Sequence, residues 1–135
     1  MKSDFKDKKV VIMGLGGYGE GSGISAALFF ARSGARVFVT DMKKEEELKH
    51  QLKKLNKFKN IRYFFGGHRK KDFQKADLIF QNPSVPDSSP YLNIARENRI
   101  PIINDWSLFL DYCNNFLIGI TGSKGKSTTT SLVYD

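Results

Sequence analysis

Two glycine-rich stretches of this sequence have the residue types and spacing to hold phosphate groups. The first, Gly14-Leu15-Gly16-Gly17-Tyr18-Gly19, follows the apolar run VVIM and precedes a segment of helical period. In a G-x-G-x-x-G loop, Gly14 permits a tight turn, Gly16 lets backbone approach a phosphate, and Gly19 brings helix and strand close. The helix start then offers unpaired N–H groups and a partial positive charge to a pyrophosphate. Asp41 ends the next apolar run, about 20 residues further on, where a carboxylate can accept hydrogen bonds from a nucleoside. Read as an exposed strand-end group, Asp41 adds little to a core, so removing it is expected to weaken nucleotide binding without unfolding. The loop by itself fits NAD, FAD or another nucleotide diphosphate, and a turn needed only for packing is the plainer reading.

The second stretch is Gly122-Ser123-Lys124-Gly125-Lys126-Ser127, with Thr128 after it. Backbone N–H groups of such a loop wrap phosphates, Lys126 reaches the β and γ oxygens, and Ser127 is placed to hold Mg²⁺. The strict G-x-x-x-x-G-K-[ST] pattern fails because Ile120 stands at its first glycine. What remains is the shorter G-x-x-G-K-[ST], with an apolar strand expected before it and a Thr-rich helix start after it.

Elements of regular period must position these loops. Apolar runs at residues 10–13, 37–39, 63–65, 78–80, 100–103 and 116–120 read as buried strands. Between them, Ile24, Ala27, Leu28 and Ala31 share one helical face, and Leu48, Leu52 and Leu55 share another. A third helix starts at Ser88 or Ser89 with Pro90 in its first turn, and SLFLDY reads as a short fourth. Strand–helix alternation predicts an α/β fold, a doubly wound parallel sheet of Rossmann-like type with right-handed crossovers. Ligands then bind at the carboxyl ends of the strands. The loops GLGGYGEGSG, TDMKK and QNPSVPDSSP leave three such ends and are expected to share one crevice.

Twelve of the 22 Lys and Arg residues fall between Lys43 and Lys75, so the formal charge of +8 is regional. Nucleic-acid binding is the sharper reading of that cluster. A solvated helix face explains it more simply, with Glu45 four residues before Lys49. The single Cys113 excludes a disulfide framework within one chain, suits a reducing compartment and reads as a core filler. The N-terminal stretch is too charged for a signal peptide, which makes the cytoplasm the default. His68, after two glycines and among charges, reads as an exposed loop residue, as does His50 on the charged helix. Asp105 reads as a helix N-cap, and Trp106 and Phe109 as core or domain-contact residues.

Together, VVIMGLGGYG, VFVTD, ADLIFQNPSVPDSSPYLNIARENRIPIINDWSLF and IGITGSKGKSTTTSL resemble the Mur ligases of peptidoglycan synthesis, in that family's order along the chain. The likeness is greatest to members that add D-glutamate to UDP-N-acetylmuramoyl-L-alanine. The resemblance implies a UDP-binding domain over residues 1–115 and the first strand, P-loop and helix start of a truncated central ATPase domain over residues 116–135. It implies backbone amides at Gly16, Gly17 and Tyr18 near the diphosphate, and Asp41, Met42 and Lys43 near uracil and ribose. Asn82, Pro83 and Ser84 would close over the uridine, where the family usually has Ser-Pro-Gly. Gly122, Ser123, Lys124, Gly125, Lys126, Ser127 and Thr128 would hold ATP, with Lys126 and Ser127 supporting phosphoryl transfer and Ser127 sharing Mg²⁺. The family's activity proceeds through an acyl phosphate that the amine of D-glutamate displaces. A monomer without nucleic-acid or membrane partners is expected, inactive over these residues alone. The alternatives are an L-alanine-adding relative and an NAD-binding regulatory or oxidoreductase module.

Overall fold

Strands β1 (Lys9–Met13), β2 (Arg36–Asp41), β3 (Ile61–Phe65), β4 (Leu78–Gln81) and β5 (Ile102–Ile103) pair in the order β3-β2-β1-β4-β5, every ladder parallel. The computed structural model describes residues 5–16 and 21–134, so Gly17, Tyr18 and Gly19 lie outside the described residues. Along β1 the side chains alternate between two cores: Val10 and Ile12 enter one, Val11 and Met13 the other. A central strand covered on both faces must be apolar at every position. That is why VVIM carries no polar alternation.

Helices α1 (Ser22–Arg32) and α2 (Glu45–Leu55) cover the first face through Ile24, Ala27 and Ala31, and through Leu48, Leu52 and Leu55. The lysines of α2 stay exposed, as a solvated face requires. Helices α3 (Lys70–Gln74) and α4 (Pro90–Glu97) cover the second face with Phe73, Leu92 and Ala95. Ser89 stands at the N-cap position of α4 without a side-chain capping bond, and Pro90 fills its first turn, where a missing N–H costs nothing. The chain therefore changes face between β3 and β4, and the sheet order reverses between β1 and β4. Such a reversal opens a crevice beyond the strand ends.

Several expectations need correction. Residues 116–120 form no strand: Phe116 is 90% and Ile118 61% exposed, and no described strand pairs with them. An apolar run becomes a strand only where a sheet edge accepts its backbone. Helix α5 (Asp105–Tyr112) is capped by Asn104, not Asp105. Asn104 Oδ1 accepts the Ser107 N–H and Ser107 Oγ accepts the Asn104 N–H, both at 2.9 Å, a reciprocal capping box. Trp106 (70% exposed) and Phe109 (52%) are not core residues, and Cys113 is only half-buried. Helix α3 was not foreseen, since its five residues carry one apolar side chain.

Among the described glycines the closest approach of helix to strand end is made by Gly23 in α1; Gly19, expected to make such an approach, lies outside the described residues. A Cβ at Gly23 would lie 2.1 Å from the Gly14 carbonyl oxygen and 2.7 Å from Leu15 Cα. Both obstacles are backbone and cannot swing aside. Gly23→Ala is expected to lower stability by about 1–3 kcal/mol, read from the urea unfolding midpoint. Gly119→Ala, with nothing within 4 Å of its added carbon, should leave that midpoint unchanged. Equal midpoints for the two variants would contradict this packing.

Candidate functional site

The loops after β1, β2, β3 and β4 converge on a cleft of about 670 Å³. Gly14 and Gly16 come from the first loop, Asp41, Met42 and Lys43 from the second, and His68 from the third. The fourth side is Ser84, Val85, Pro86 and the start of α4 at Ser89, Pro90 and Tyr91. The expected shared crevice is present.

Asp41 sits at the junction, 9% exposed. Its Oδ2 accepts the Leu15 N–H and its Oδ1 the Lys43 N–H, both at 2.9 Å. One carboxylate thus fixes the glycine loop against the end of β2. The sequence reading of Asp41 as an exposed strand-end group that adds little to the core is corrected: this carboxylate is buried and holds two backbone amides, with only its remaining lone pairs open to a ligand. Gly14 and Gly16 hold positive φ of 87° and 89°, a conformation glycine adopts without strain. A Cβ on Gly14 would also press on Asn82 Cβ at 3.2 Å.

Asn82 is 4% exposed and lies beneath the glycine loop, away from the cleft surface. Its Oδ1 accepts both the Ser84 N–H (3.0 Å) and the Ser84 hydroxyl (2.8 Å). This side chain closes the turn in place of the glycine expected by resemblance, and Ser84 keeps a negative φ. Of the three turn residues, Ser84 lines the cleft, whereas Asn82 and exposed Pro83 do not.

Sequence reasoning missed His68, which is half-buried in the cleft and not an exposed loop residue. Its Nδ1 lies 2.8 Å from Thr40 Oγ1, and its ring meets Phe73 and Tyr91 edge-to-face at centroid distances of 5.8 and 5.0 Å. Burial lowers its pKa from the usual 6.5, and the Asp41 charge opposes that shift. The available signal was positional: GGH leaves the end of β3, on the same side of the sheet as the other three loops. Tyr91 was hidden because SSPY reads first as a helix start.

None of residues 122–128 lines this cleft. They form an exposed loop leading into α6 (Lys126–Tyr134), a helix that buries no residue. The Thr129 N–H donates to the Gly125 carbonyl at 2.9 Å, and Lys126 Nζ donates to the Gly122 carbonyl. Among the described residues no group of three or more His, Cys, Asp and Glu is placed to hold a metal ion.

Two outcomes follow from the Asp41 and His68 geometry. Asp41→Ala leaves two backbone N–H groups without their acceptor and should cost about 1.5–3 kcal/mol of stability, seen in urea unfolding. Stability equal to the wild type would show that the carboxylate does not hold the loop. The His68 titration, followed by NMR, should have its midpoint below 6.5, with Asp41, Lys43 and the Tyr91 phenol as the ionisable groups around the cleft. A depressed folded-state pKa means the unfolded chain binds the proton first. The His68 contribution to stability is therefore complete above pH 6.5 and is lost as the pH falls from 6.5 toward the folded-state midpoint. A midpoint above 6.5 would make the Asp41 charge, not burial, the controlling influence.

Residues 8–104 match the family described as Mur ligase MurD-like, N-terminal domain. The UDP-N-acetylmuramoylalanine–D-glutamate ligase of Roseiflexus is 40% identical over 93% of this chain and 26% of its own length. That of Treponema pallidum is 42% identical over 92% of this chain and 23% of its own length. Among solved structures, the UDP-N-acetylmuramate-alanine ligase MurC from Thermotoga maritima is 29% identical over 94% of this chain and 28% of its own, with a TM-score of 0.58. The chain thus spans about a quarter of the length of these relatives. The family match over most of the chain favours the ligase reading over the NAD-module alternative. The chain belongs to the family of Mur ligase MurD-like N-terminal domains.

Proposed function

We propose that the chain supplies the UDP-substrate-binding part of an ATP-dependent carbon–nitrogen ligase. The whole enzyme would join D-glutamate to UDP-N-acetylmuramoyl-L-alanine through an acyl phosphate, in cytoplasmic peptidoglycan synthesis and as a monomer. The observation that carries this reading is the preformed cleft, in which Asp41 pins the glycine loop and Lys43 adds a cation beside it. The names of the relatives support D-glutamate as the amino acid added.

In this reading Gly16, with Gly17 and Tyr18 beyond it, offers backbone N–H groups to the diphosphate, and Lys43 offsets its charge. The spare lone pairs of Asp41, the side chain of Met42 and the hydroxyl of Ser84 face the nucleoside. Asn82 and Pro83 act beneath and beside that surface by fixing the turn. The domain reading, with residues 1–115 as the UDP-binding unit and 116–135 as the start of another, is supported by the exposure of nearly all residues after the end of α5.

The second loop has the donor set for ATP phosphates. With α6 beginning at Lys126, the N–H groups of Lys126, Ser127 and Thr128 fall in its first turn, which has no intrahelical acceptors. Gly122, Ser123, Lys124 and Gly125 would wrap the phosphates, Lys126 would stabilise the transferring phosphoryl group, and Ser127 would share in holding Mg²⁺. When bound, MgATP supplies the phosphoryl group that activates the substrate carboxylate. In these residues alone, however, α6 has nine residues and buries none. Helices shorter than about 12–15 residues are marginal without packing partners.

Calorimetric titration of the 135-residue chain tests both halves of this reading. UDP-N-acetylmuramoyl-L-alanine should bind with a Kd of roughly 10 µM to 1 mM, from two or three charge-assisted hydrogen bonds less the cost of association. MgATP should not be retained, and no phosphate should be released when D-glutamate is added. Absent UDP-substrate binding would overturn the cleft assignment. Tight MgATP binding or turnover would overturn the account of the second loop.

A further inference from the structure

His68 is held with unusual completeness for a loop residue, and its hydrogen bonds fix which ring nitrogen carries the proton. The loop that bears it is stitched to the end of β2 through backbone: the Gly66 N–H donates to the Lys43 carbonyl at 2.8 Å, and the Gly67 N–H to the Asp41 carbonyl at 3.0 Å. Thr40 Oγ1 makes the third link, donating to the Gly67 carbonyl at 2.9 Å. A hydroxyl has one proton, and a carbonyl can only accept. The Thr40 proton is therefore spent on Gly67, and Thr40 Oγ1 can only accept from His68 Nδ1, 2.8 Å away. The neutral imidazole must be the Nδ1–H tautomer. Its Nε2 is then a bare lone pair, and it makes no hydrogen bond among the described residues.

The ring cannot easily turn away from this arrangement. Thr40 is 3% exposed and Phe73 fully buried. Phe73 and Tyr91 meet the imidazole at interplanar angles of 77° and 71°. The surrounding polar groups have different characters. Lys43 only donates, Asp41 already accepts a backbone N–H on each oxygen, and the Ser84 proton is spent on Asn82. His68 Nε2 is thus the uncharged nitrogen acceptor of the cleft.

We propose that His68 is a specificity-determining residue, whose Nε2 accepts a hydrogen bond from a donor on the nucleoside half of the ligand, with Thr40 as the positioning residue that sets the tautomer. This assignment rests on the cleft being a uridine-nucleotide site. Two nucleoside groups have the required chemistry: the ring N–H of a pyrimidine-dione base and a ribose hydroxyl. Cytosine lacks that ring N–H, and a 2′-deoxyribose lacks one of the hydroxyls, so the two sources can be separated.

The test compares wild type, His68→Phe and Thr40→Val in calorimetric titrations with UDP, CDP and 2′-deoxy-UDP, with thermal unfolding to confirm folding. His68→Phe keeps an aromatic ring between Phe73 and Tyr91 and removes the Nε2 acceptor together with the Nδ1–H bond to Thr40. It should weaken UDP by about three- to tenfold, the range of one net hydrogen bond. It should also erase the wild-type preference for UDP over CDP if the base is read, or over 2′-deoxy-UDP if the sugar is read. Thr40→Val should weaken UDP in the wild-type background and add nothing to His68→Phe. In the ¹⁵N spectrum of the imidazoles, simple to assign because the chain has two His residues, His68 should carry its proton on Nδ1, and UDP should shift Nε2. An Nε2–H tautomer, unchanged UDP affinity in His68→Phe, or an equal loss for all three nucleotides would each overturn the proposal. UDP binding that persists unchanged in His68→Phe overturns only the role of His68. Failure of wild type to bind any of the three removes the nucleotide site as well.

Discussion

The Asp41 carboxylate is the point on which the cleft depends. Its two oxygens hold the amides of Leu15 after β1 and Lys43 after β2, while its backbone carbonyl accepts the Gly67 N–H after β3. Three loops from three strands are thus tied to one residue. A carboxylate this buried would be costly if unpaired, but charge-assisted bonds to backbone amides offset its desolvation. Those bonds also shape the glycine loop, which otherwise has the conformational freedom of its glycines. Asn82 completes the arrangement from the opposite side of β1, lying under Gly14 and Gly16 while its side chain closes the turn after β4. The surface offered to a ligand is therefore set by two buried polar groups that are themselves mostly turned away from it.

The sheet was legible because its physics is one-dimensional. Unbroken apolar runs such as VVIM and the Leu48, Leu52, Leu55 stripe report burial on two faces or one, and the structure places each accordingly. The convergence of loops was legible too, since parallel strands send their carboxyl ends to one side. What sequence could not convey was the second role of a residue already given a first. Asp41 was marked as a ligand group, so its service to Leu15 went unnoticed. Asn82 and Ser84 looked like a defective glycine turn, whereas a side-chain oxygen closes it by a different route. His68 carried no periodic signal at all, and its partner Thr40 lies far away in the chain.

Residues 116–120 show the opposite limit. Their pattern, FLIGI, is as strand-like as VVIM, but a strand is a property of a pair. The sheet's β4 edge is completed by β5, only two residues long, and no described strand continues beyond it. A run of apolar residues with no edge to join keeps its backbone polar groups in water and its side chains exposed. Composition predicted the element, and topology withheld its partner.

The two glycine loops differ for the same reason, although their chemistry as written is similar. The described start of the first, Gly14 to Gly16, is supported on three sides: Gly23 brings α1 onto Gly14 and Leu15, Asp41 holds the Leu15 amide and Asn82 lies beneath Gly14 and Gly16. The second loop has its helix start and its lysine but no comparable support, and Lys126 donates to the loop's own Gly122 carbonyl instead of reaching outward. Binding there would first have to break that contact and order α6, whose residues touch no core. A glycine-lysine sequence specifies where phosphate contacts can form. The packing around it decides whether they are ready to form.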